Sequence, residues 1–168
     1  RTISKISLGT VQFGLPYGVA NNGGQVSFEE SKGIIELARQ SGIDTLDTAI
    51  AYGNSEEVLG EIGVDNWNVI TKIPEAQLGI NNIDAWLKQQ IKRSIDRLGI
   101  ERLYAVMLHV TAVLSYDHAS KYWNALQELK QQGFIKKIGY SIYNPDELDN
   151  HYNNFHPDIV QAPYNVID

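Results

Sequence analysis

The sequence has 168 residues, of which 43% are apolar and 20% are charged, so it is long enough to bury a core and is typical of a globular protein. It contains no cysteine, which excludes disulfides, thiolate nucleophiles and cysteine-ligated metal sites, and we expect a cytoplasmic protein. The net charge is -6 and the sequence has no basic stripe, so we expect no nucleic-acid partner. The four histidines lack metal-ligand spacing, so we expect no metal. No apolar run approaches the roughly 18 residues that span a membrane, so we expect no membrane association.

One structural unit recurs along the chain: a short apolar strand, a loop, and an amphipathic helix that ends at a glycine. The first strand is predicted at residues 3–8 and is closed by Gly9. After a glycine-rich loop, Ser27 and Glu30 have the S-x-x-E spacing of a capping box, which predicts the start of a helix that ends at Gly42.

The same unit continues to the end of the sequence. The apolar pattern predicts five further strands, at Thr45–Asp47, residues 67–72, Leu103–Leu108, residues 135–140 and residues 159–162. The first three helices between them carry apolar stripes that end at Gly63, Gly99 and Gly133. The last helix is predicted from Asn144, a capping residue followed by Pro145 at the first helical position.

Strict alternation of strands and helices predicts an α/β fold with a parallel sheet, because each parallel neighbour needs a helical crossover. A doubly wound open sheet and a (β/α)8 TIM barrel both have this pattern. Counting favours the open sheet, because six strands complete it whereas a barrel typically needs roughly 250 residues. The strand ends favour the barrel, because all six strands end in polar, glycine or threonine residues, and a barrel brings them into one ring. We therefore expect residues 1–168 to form a single barrel domain that is incomplete and C-terminally truncated, with about six of eight βα units.

The residues at the strand ends form a chemically coherent set. They are Gly9, Thr10, Asp47, Tyr52, Lys72, His109, Ser141 and Gln161. Each also has an ordinary structural explanation: Lys72 can be solvated or simply paired with Asp47, and His109 can be a structural histidine. Their joint placement at one mouth is what favours a functional site.

Four of these residues together can protonate a carbonyl group that accepts hydride. A tyrosine phenol ordinarily has a pKa near 10, a neighbouring lysine favours its phenolate form, and a buried lysine needs a counter-charge. Tyr52, Lys72 and Asp47 supply these three groups, and His109 can orient the carbonyl oxygen or share the proton. A barrel lyase with Lys72 as a Schiff-base amine is an alternative, but it gives no role to Tyr52.

At residues 42–60 the sequence GIDTLDTAIAYGNSEEVLG resembles the signature of the aldo-keto reductases, with Asp47, Tyr52, Glu57 and Gly60 at the expected spacing. Further segments similar to that family follow in chain order, and together they cover essentially the whole chain. They are LGTVQFG at residues 8–14, VITKIP at 69–74, VMLH at 106–109, IGYSIYNPDEL at 138–148 and IVQAPYNVID at 159–168.

The resemblance implies a barrel enzyme that reduces an aldehyde or ketone to an alcohol with hydride from NADPH, with NAD as the alternative cofactor. It implies Tyr52 as general acid, Lys72 and Asp47 as the groups that tune it, and His109 as the residue that positions the carbonyl of a small-molecule substrate. The residues that it implies for the nicotinamide are Gly9, Thr10, Asp47, Ser141 and Gln161.

Two features depart from the family pattern. Val110 and Thr111 follow His109 where many relatives have a short polar turn or a proline. The seventh and eighth units, which hold most of the family's phosphate contacts, are not in the sequence. The choice of NADP over NAD as the cofactor therefore follows from the resemblance alone. We expect this chain by itself to expose an apolar barrel interior and to have little reductase activity. A catalytically quiet nicotinamide-binding regulatory subunit of the same fold is the alternative function, and the intact catalytic set favours the enzyme.

Overall fold

The computed structural model describes residues 5–19, 21–76, 80 and 82–165. The strands are β1 (Leu8–Gly9), β2 (Thr45–Asp47), β3 (Asn68–Ile73), β4 (Leu103–Leu108), β5 (Ile135–Ser141) and β6 (Ile159–Gln161). The helices are α1 (Val11–Gly14), α2 (Phe28–Gln40), α3 (Ser55–Ile62), α4 (Ile83–Leu98), α5 (Ala119–Gln131) and α6 (Pro145–Tyr152), with a 3-10 helix at Thr111–Ser115. The predicted alternation of strands and helices is confirmed.

The six strands form one parallel sheet in the order β1-β2-β3-β4-β5-β6. A doubly wound sheet reverses its strand order at a switch point, whereas a barrel wall continues in one direction. The sheet is strongly curled: Asp47 on β2 and Gln161 on β6 are hydrogen-bonded through their side chains at 3.0 Å, although three strands lie between them in the sheet. The fold is therefore six strands of a (β/α)8 barrel, as the strand-end residues predicted.

Five of the six predicted strands agree with the structure to within one residue at each end. β2 and β4 begin and end where predicted, and β3, β5 and β6 differ by one residue at one or both ends. The predicted strand at residues 3–8 is wrong: β1 is Leu8–Gly9, residues 5–7 are not in a strand, and residues 3 and 4 lie outside the described residues. The ladder is short because β2 has only three residues, of which Leu46 and Asp47 pair with β1.

The main core lies between the outer face of the sheet and the helices. The apolar stripe of α4 is buried there, with Leu87, Ile91 and Leu98 at 0% exposure, and each such side chain contributes roughly 1.5–3 kcal/mol by burial. Gly99 ends α4 at a φ of 64°, a left-handed conformation that glycine adopts without strain, as predicted. Asn144 caps the start of α6, as predicted, and Glu147 completes a reciprocal capping box with it.

A second, smaller apolar cluster faces the concave side of the sheet. Its buried members are Ile70, Ala105 and Met107, which are 8%, 0% and 1% exposed. The expectation of an exposed apolar interior is therefore wrong for these residues. The curl of the sheet explains the difference, because it brings side chains from opposite sides of the concave face into contact. None of the described helices combines the length and apolar composition that a membrane crossing needs.

Candidate active site

The carboxyl ends of the strands bring the four predicted catalytic residues together. Asp47 is the last residue of β2, Lys72 lies one residue before the end of β3, and His109 directly follows β4. Tyr52 lies on the Tyr52 loop, which we define as residues 48–54 between β2 and α3. The four side chains come from three consecutive strands and one loop, at one mouth of the barrel.

A short ion pair forms the centre of this group. Lys72 Nζ lies 2.6 Å from Asp47 Oδ1, and the side chains are 3% and 16% exposed. A buried ammonium without a partner is costly, so the carboxylate allows Lys72 to lie inside the barrel. Gln161 Nε2 donates to the other oxygen, Asp47 Oδ2, at 3.0 Å. Both carboxylate oxygens of Asp47 are therefore engaged.

Lys72 has three acceptors around its amine. Besides Asp47, Nζ donates to the Thr48 carbonyl at 3.2 Å and contacts the Tyr52 phenol oxygen at 3.4 Å. Three acceptors match the three N–H groups of an ammonium. This arrangement holds the amine of Lys72 beside the phenol oxygen of Tyr52 with all three of its N–H groups engaged.

His109 packs edge-on against Tyr52, with ring centroids 5.9 Å apart and planes at 81°. Burial lowers the pKa of His109 from its ordinary value of 6.5, the positive charge of Lys72 lowers it further, and the Asp47 carboxylate opposes both effects. At neutral pH the ring is thus neutral and carries one N–H that can donate to an oxygen.

Two of the residues that the family resemblance implies for the nicotinamide, Ser141 and Gln161, lie side by side. Ser141 ends β5, Gln161 ends β6, and the two are register partners in the sheet. Gln161 Oε1 is buried and has no hydrogen-bond partner among the described residues. Buried polar atoms are normally satisfied, so an unpartnered carbonyl oxygen fits a ligand that donates a hydrogen bond. A hydroxyl and an amide at this position match the donor and acceptor of a carboxamide.

Gly9 and Thr10, which the resemblance also implies for the nicotinamide, differ in exposure. Gly9 is exposed, and a side-chain carbon built there would meet no heavy atom within 4 Å. Thr10 is 0% exposed, and its hydroxyl donates to the Asp47 carbonyl at 3.1 Å. The surface next to β1 is therefore open at Gly9, while the side chain of Thr10 belongs to the protein interior.

Two residues beside the site were missed by the sequence prediction. Thr48 contributes its carbonyl to Lys72, and Ser55 is buried behind the Tyr52 loop with three hydrogen-bonding contacts. The sequence did offer a signal for both, because Thr48 directly follows Asp47 and Ser55 lies three residues after Tyr52. Among the described residues, no cluster of three His, Cys, Asp or Glu side chains could hold a metal ion.

Comparison with known proteins identifies one family. The model of the aldo/keto reductase family matches residues 5–168. The chain is 28% identical over 191 residues to an Escherichia coli protein named NADH-specific methylglyoxal reductase, covering 99% of this chain and 57% of that protein. It is 30% identical over 125 residues to an aldo-keto reductase of Mycobacterium sp. strain KMS, covering 71% of this chain and 44% of that protein. The chain thus spans about half the length of the curated relatives it matches.

Solved structures give the same fold. A Pseudomonas aeruginosa protein described as an aldo-keto reductase matches with a TM-score of 0.81 and 28% identity, over 99% of this chain and 65% of that one. A Bacillus halodurans aldo-keto reductase matches with a TM-score of 0.75 at 20% identity, over 96% of this chain and 54% of that one, which supports the fold alone.

Proposed function

This chain belongs to the aldo/keto reductase family, and from that premise we propose that it reduces an aldehyde or ketone to an alcohol with hydride from a reduced nicotinamide dinucleotide. Tyr52 is the proposed general acid, with Lys72 and Asp47 as its charged neighbours. The observation that carries the proposal is the Lys72 amine, which lies 3.4 Å from the Tyr52 phenol oxygen and 2.6 Å from the Asp47 carboxylate.

Carbonyl reduction adds a hydride to carbon and a proton to oxygen. The bound nicotinamide supplies the hydride. Tyr52 gives its phenolic proton to the carbonyl oxygen, and the negative charge that remains on the phenolate develops beside Lys72. Asp47 holds the Lys72 amine in place through its 2.6 Å contact, so the stabilising charge is positioned before the reaction begins.

His109 is proposed to orient the substrate. Its pKa is lowered first by burial and then by Lys72, which keeps the imidazole neutral at physiological pH. A neutral ring beside Tyr52 donates one hydrogen bond to the carbonyl oxygen without adding a second strong acid. The oxygen is then held where the phenol can protonate it.

Gly9, Ser141 and Gln161 are proposed to contact the nicotinamide. The unpartnered Gln161 Oε1 and the open surface at Gly9 support this assignment. Asp47 contributes through its bond to Gln161 Nε2, and Thr10 through its backbone, because its side chain is buried. We propose NADPH as the hydride source. Comparing kcat/KM for NADPH and NADH tests this choice, and a preference for NADH would instead align the protein with the Escherichia coli relative named as NADH-specific.

A small-molecule carbonyl compound is the proposed partner of the site, and the cytoplasm is the proposed location. The Escherichia coli relative is named for methylglyoxal, which makes that aldehyde a suitable first substrate to assay. The absence of cysteine from all 168 residues suits a reducing compartment, and fractionation of cells would test the location.

Replacing Tyr52 by Phe tests the proposed acid. Loss of the hydroxyl is expected to lower kcat/KM by about 10²–10⁴-fold, the contribution typical of general acid catalysis, with dinucleotide affinity changed by less than about twofold. Tyr152→Phe, at a half-exposed tyrosine of α6, is the matched control and should retain full activity. The measurements use the full-length protein, because this chain by itself is expected to have little reductase activity. Unchanged turnover in Tyr52→Phe would remove Tyr52 from the acid role, and a full-length wild-type protein that binds dinucleotide but turns over no carbonyl would favour the regulatory subunit.

A further inference from the structure

Three buried hydroxyl groups meet behind the Tyr52 loop. They belong to Thr10 after β1, Thr48 after β2 and Ser55 at the start of α3, and all three residues are 0% exposed. Thr48 Oγ1 donates to Ser55 Oγ at 3.1 Å, and Ser55 Oγ donates to the Thr10 carbonyl at 2.9 Å. Thr10 Oγ1 in turn donates to the Asp47 carbonyl at 3.1 Å. We call these three residues the hydroxyl cluster.

The hydroxyl cluster holds both ends of the Tyr52 loop. Thr48 is the first residue of the loop, and Ser55 directly follows its last. The Thr48 carbonyl accepts a hydrogen bond from Lys72 Nζ at 3.2 Å, so Thr48 contacts Ser55 through its side chain and Lys72 through its backbone. The Ser55 amide donates to the Tyr52 carbonyl at 3.0 Å. Short connections therefore link the cluster to both Tyr52 and Lys72.

We propose that Ser55, acting with Thr10 and Thr48, is a positioning residue for the Tyr52 phenol; this inference rests on the proposed role of Tyr52 as acid. Without Ser55 Oγ, the Thr48 hydroxyl loses its acceptor and the Thr10 carbonyl loses a donor, in a place that water does not reach. Buried groups that lose their partners rearrange to find others. The loop then shifts, and the phenol moves away from its position beside Lys72.

Proton transfer is sensitive to such a shift, whereas substrate binding is not. A misplacement of roughly 1 Å can cost about 10²-fold in rate. Of the residues proposed to hold the nicotinamide, Gly9, Ser141 and Gln161 lie on β1, β5 and β6, outside the Tyr52 loop. The other two, Asp47 and Thr10, stay attached to each other through the Thr10 amide and hydroxyl, which both donate to the Asp47 carbonyl. Loss of positioning is therefore expected in kcat and not in the KM for either substrate.

Ser55→Ala with Ser31→Ala as its control tests the proposal kinetically. Ser31 is also 0% exposed, but it lies on α2 and its hydroxyl has no partner among the described residues. In the full-length protein, at saturating dinucleotide and carbonyl compound, Ser55→Ala should lower kcat by about tenfold or more with KM changed by less than about twofold, whereas Ser31→Ala should match the wild type. Thr48→Val removes one hydroxyl while keeping the side-chain shape, so it provides the test if Ser55→Ala does not fold. Equal kcat in both alanine variants would overturn the proposal.

A second readout needs neither cofactor nor turnover. Because Tyr52 packs edge-on against His109 at 5.9 Å, movement of the phenol changes the ring-proton NMR shifts of His109. These signals should be displaced in Ser55→Ala and Thr48→Val and unmoved in Ser31→Ala; unmoved signals in all three would overturn the proposal. If Tyr52→Phe abolishes turnover while Ser55→Ala behaves like Ser31→Ala, the positioning role of Ser55 is contradicted and the proposed function stands. If Tyr52→Phe leaves turnover unchanged while the His109 signals respond to Ser55, the proposed function fails and positioning stands.

Discussion

His109 is half-buried beside a lysine, and both features lower its pKa. The folded protein therefore binds this proton less readily than the unfolded chain, whose value lies near 6.5. The resulting contribution to stability is complete above about pH 6.5 and is lost as the pH falls through the folded pKa. Acidification charges the ring within the site, so the role proposed for His109 as a neutral hydrogen-bond donor belongs to neutral and alkaline pH.

Two substitutions with opposite expected signs test this electrostatic origin. Lys72→Met removes a charge that lowers the pKa of His109 and should raise it, whereas Asp47→Asn removes a charge that raises it and should lower it. Titration of the His109 ring protons by NMR measures both effects. Lys136→Met, at an exposed lysine of β5, is the control and should leave the titration unchanged. Shifts of the same sign in the two site variants would contradict the assignment.

Single residues also mark the limit of prediction from the sequence. The positions of Asp47, Lys72 and His109 at one mouth were predictable, because parallel strands place their carboxyl ends together. The direction of the Thr10 side chain was not predictable. Thr10 follows β1, which has only two residues, and pairing with β2 determines which way the side chains of so short a strand point. The sequence therefore predicted which side chains lie together at the strand ends. The buried hydroxyl cluster could be identified only from contacts in the structure.

The elements with long apolar patterns were predicted best. β4 is a continuous apolar run and was predicted at Leu103–Leu108, the residues found in the structure. α1 and the 3-10 helix were not predicted, because four or five residues are too few to show a helical period. α1 nevertheless matters for the site, because Gly14 at its end packs directly against the Tyr52 loop.

Gly14 and Gly33 provide a matched pair of glycines for testing this contact. A side-chain carbon at Gly14 would lie 1.7 Å from the Tyr52 carbonyl oxygen, whereas one at Gly33 on α2 would meet no heavy atom within 4 Å. Gly14→Ala should therefore displace the loop, lower kcat by about tenfold or more and destabilise the fold. Gly33→Ala should leave kcat unchanged and stabilise the fold by about 0.5–1 kcal/mol, because alanine is the better helix former. Steady-state kinetics measures kcat, and urea denaturation measures the free energy of unfolding. Equal kcat in the two variants would show that the structure accommodates a side chain at Gly14 without affecting the site.

At the scale of the whole molecule, a buried network connects the sheet to two helices behind the site. Glu56 on α3 is 2% exposed, accepts a hydrogen bond from Thr71 on β3 at 2.6 Å, and pairs with Arg97 on α4. Gly60 lets α3 approach α4 closely here, because a side-chain carbon at that position would lie 1.9 Å from the Arg97 carbonyl oxygen. Strand alternation directs Thr71 outward to this network and Lys72 inward to the site. The stability of the barrel wall and the placement of Lys72 therefore depend on adjacent residues of one strand.

Glu56 and Glu57 are neighbouring glutamates that both contact Arg97, and they allow the value of the buried network to be measured. Glu56→Gln leaves Arg97 without its buried counter-charge and should lower the free energy of unfolding by about 2 kcal/mol, less than the roughly 3–5 kcal/mol of a fully buried pair because Arg97 is 25% exposed. Glu57 is 52% exposed and 3.6 Å from Arg97, so Glu57→Gln should cost at most about 0.5 kcal/mol. Urea denaturation of both variants at low and high salt measures the difference, which should persist at high salt because buried charges are screened least. Equal losses in the two variants, or a difference that salt removes, would show that the Glu56 pair acts as a surface ion pair and does not hold the wall together.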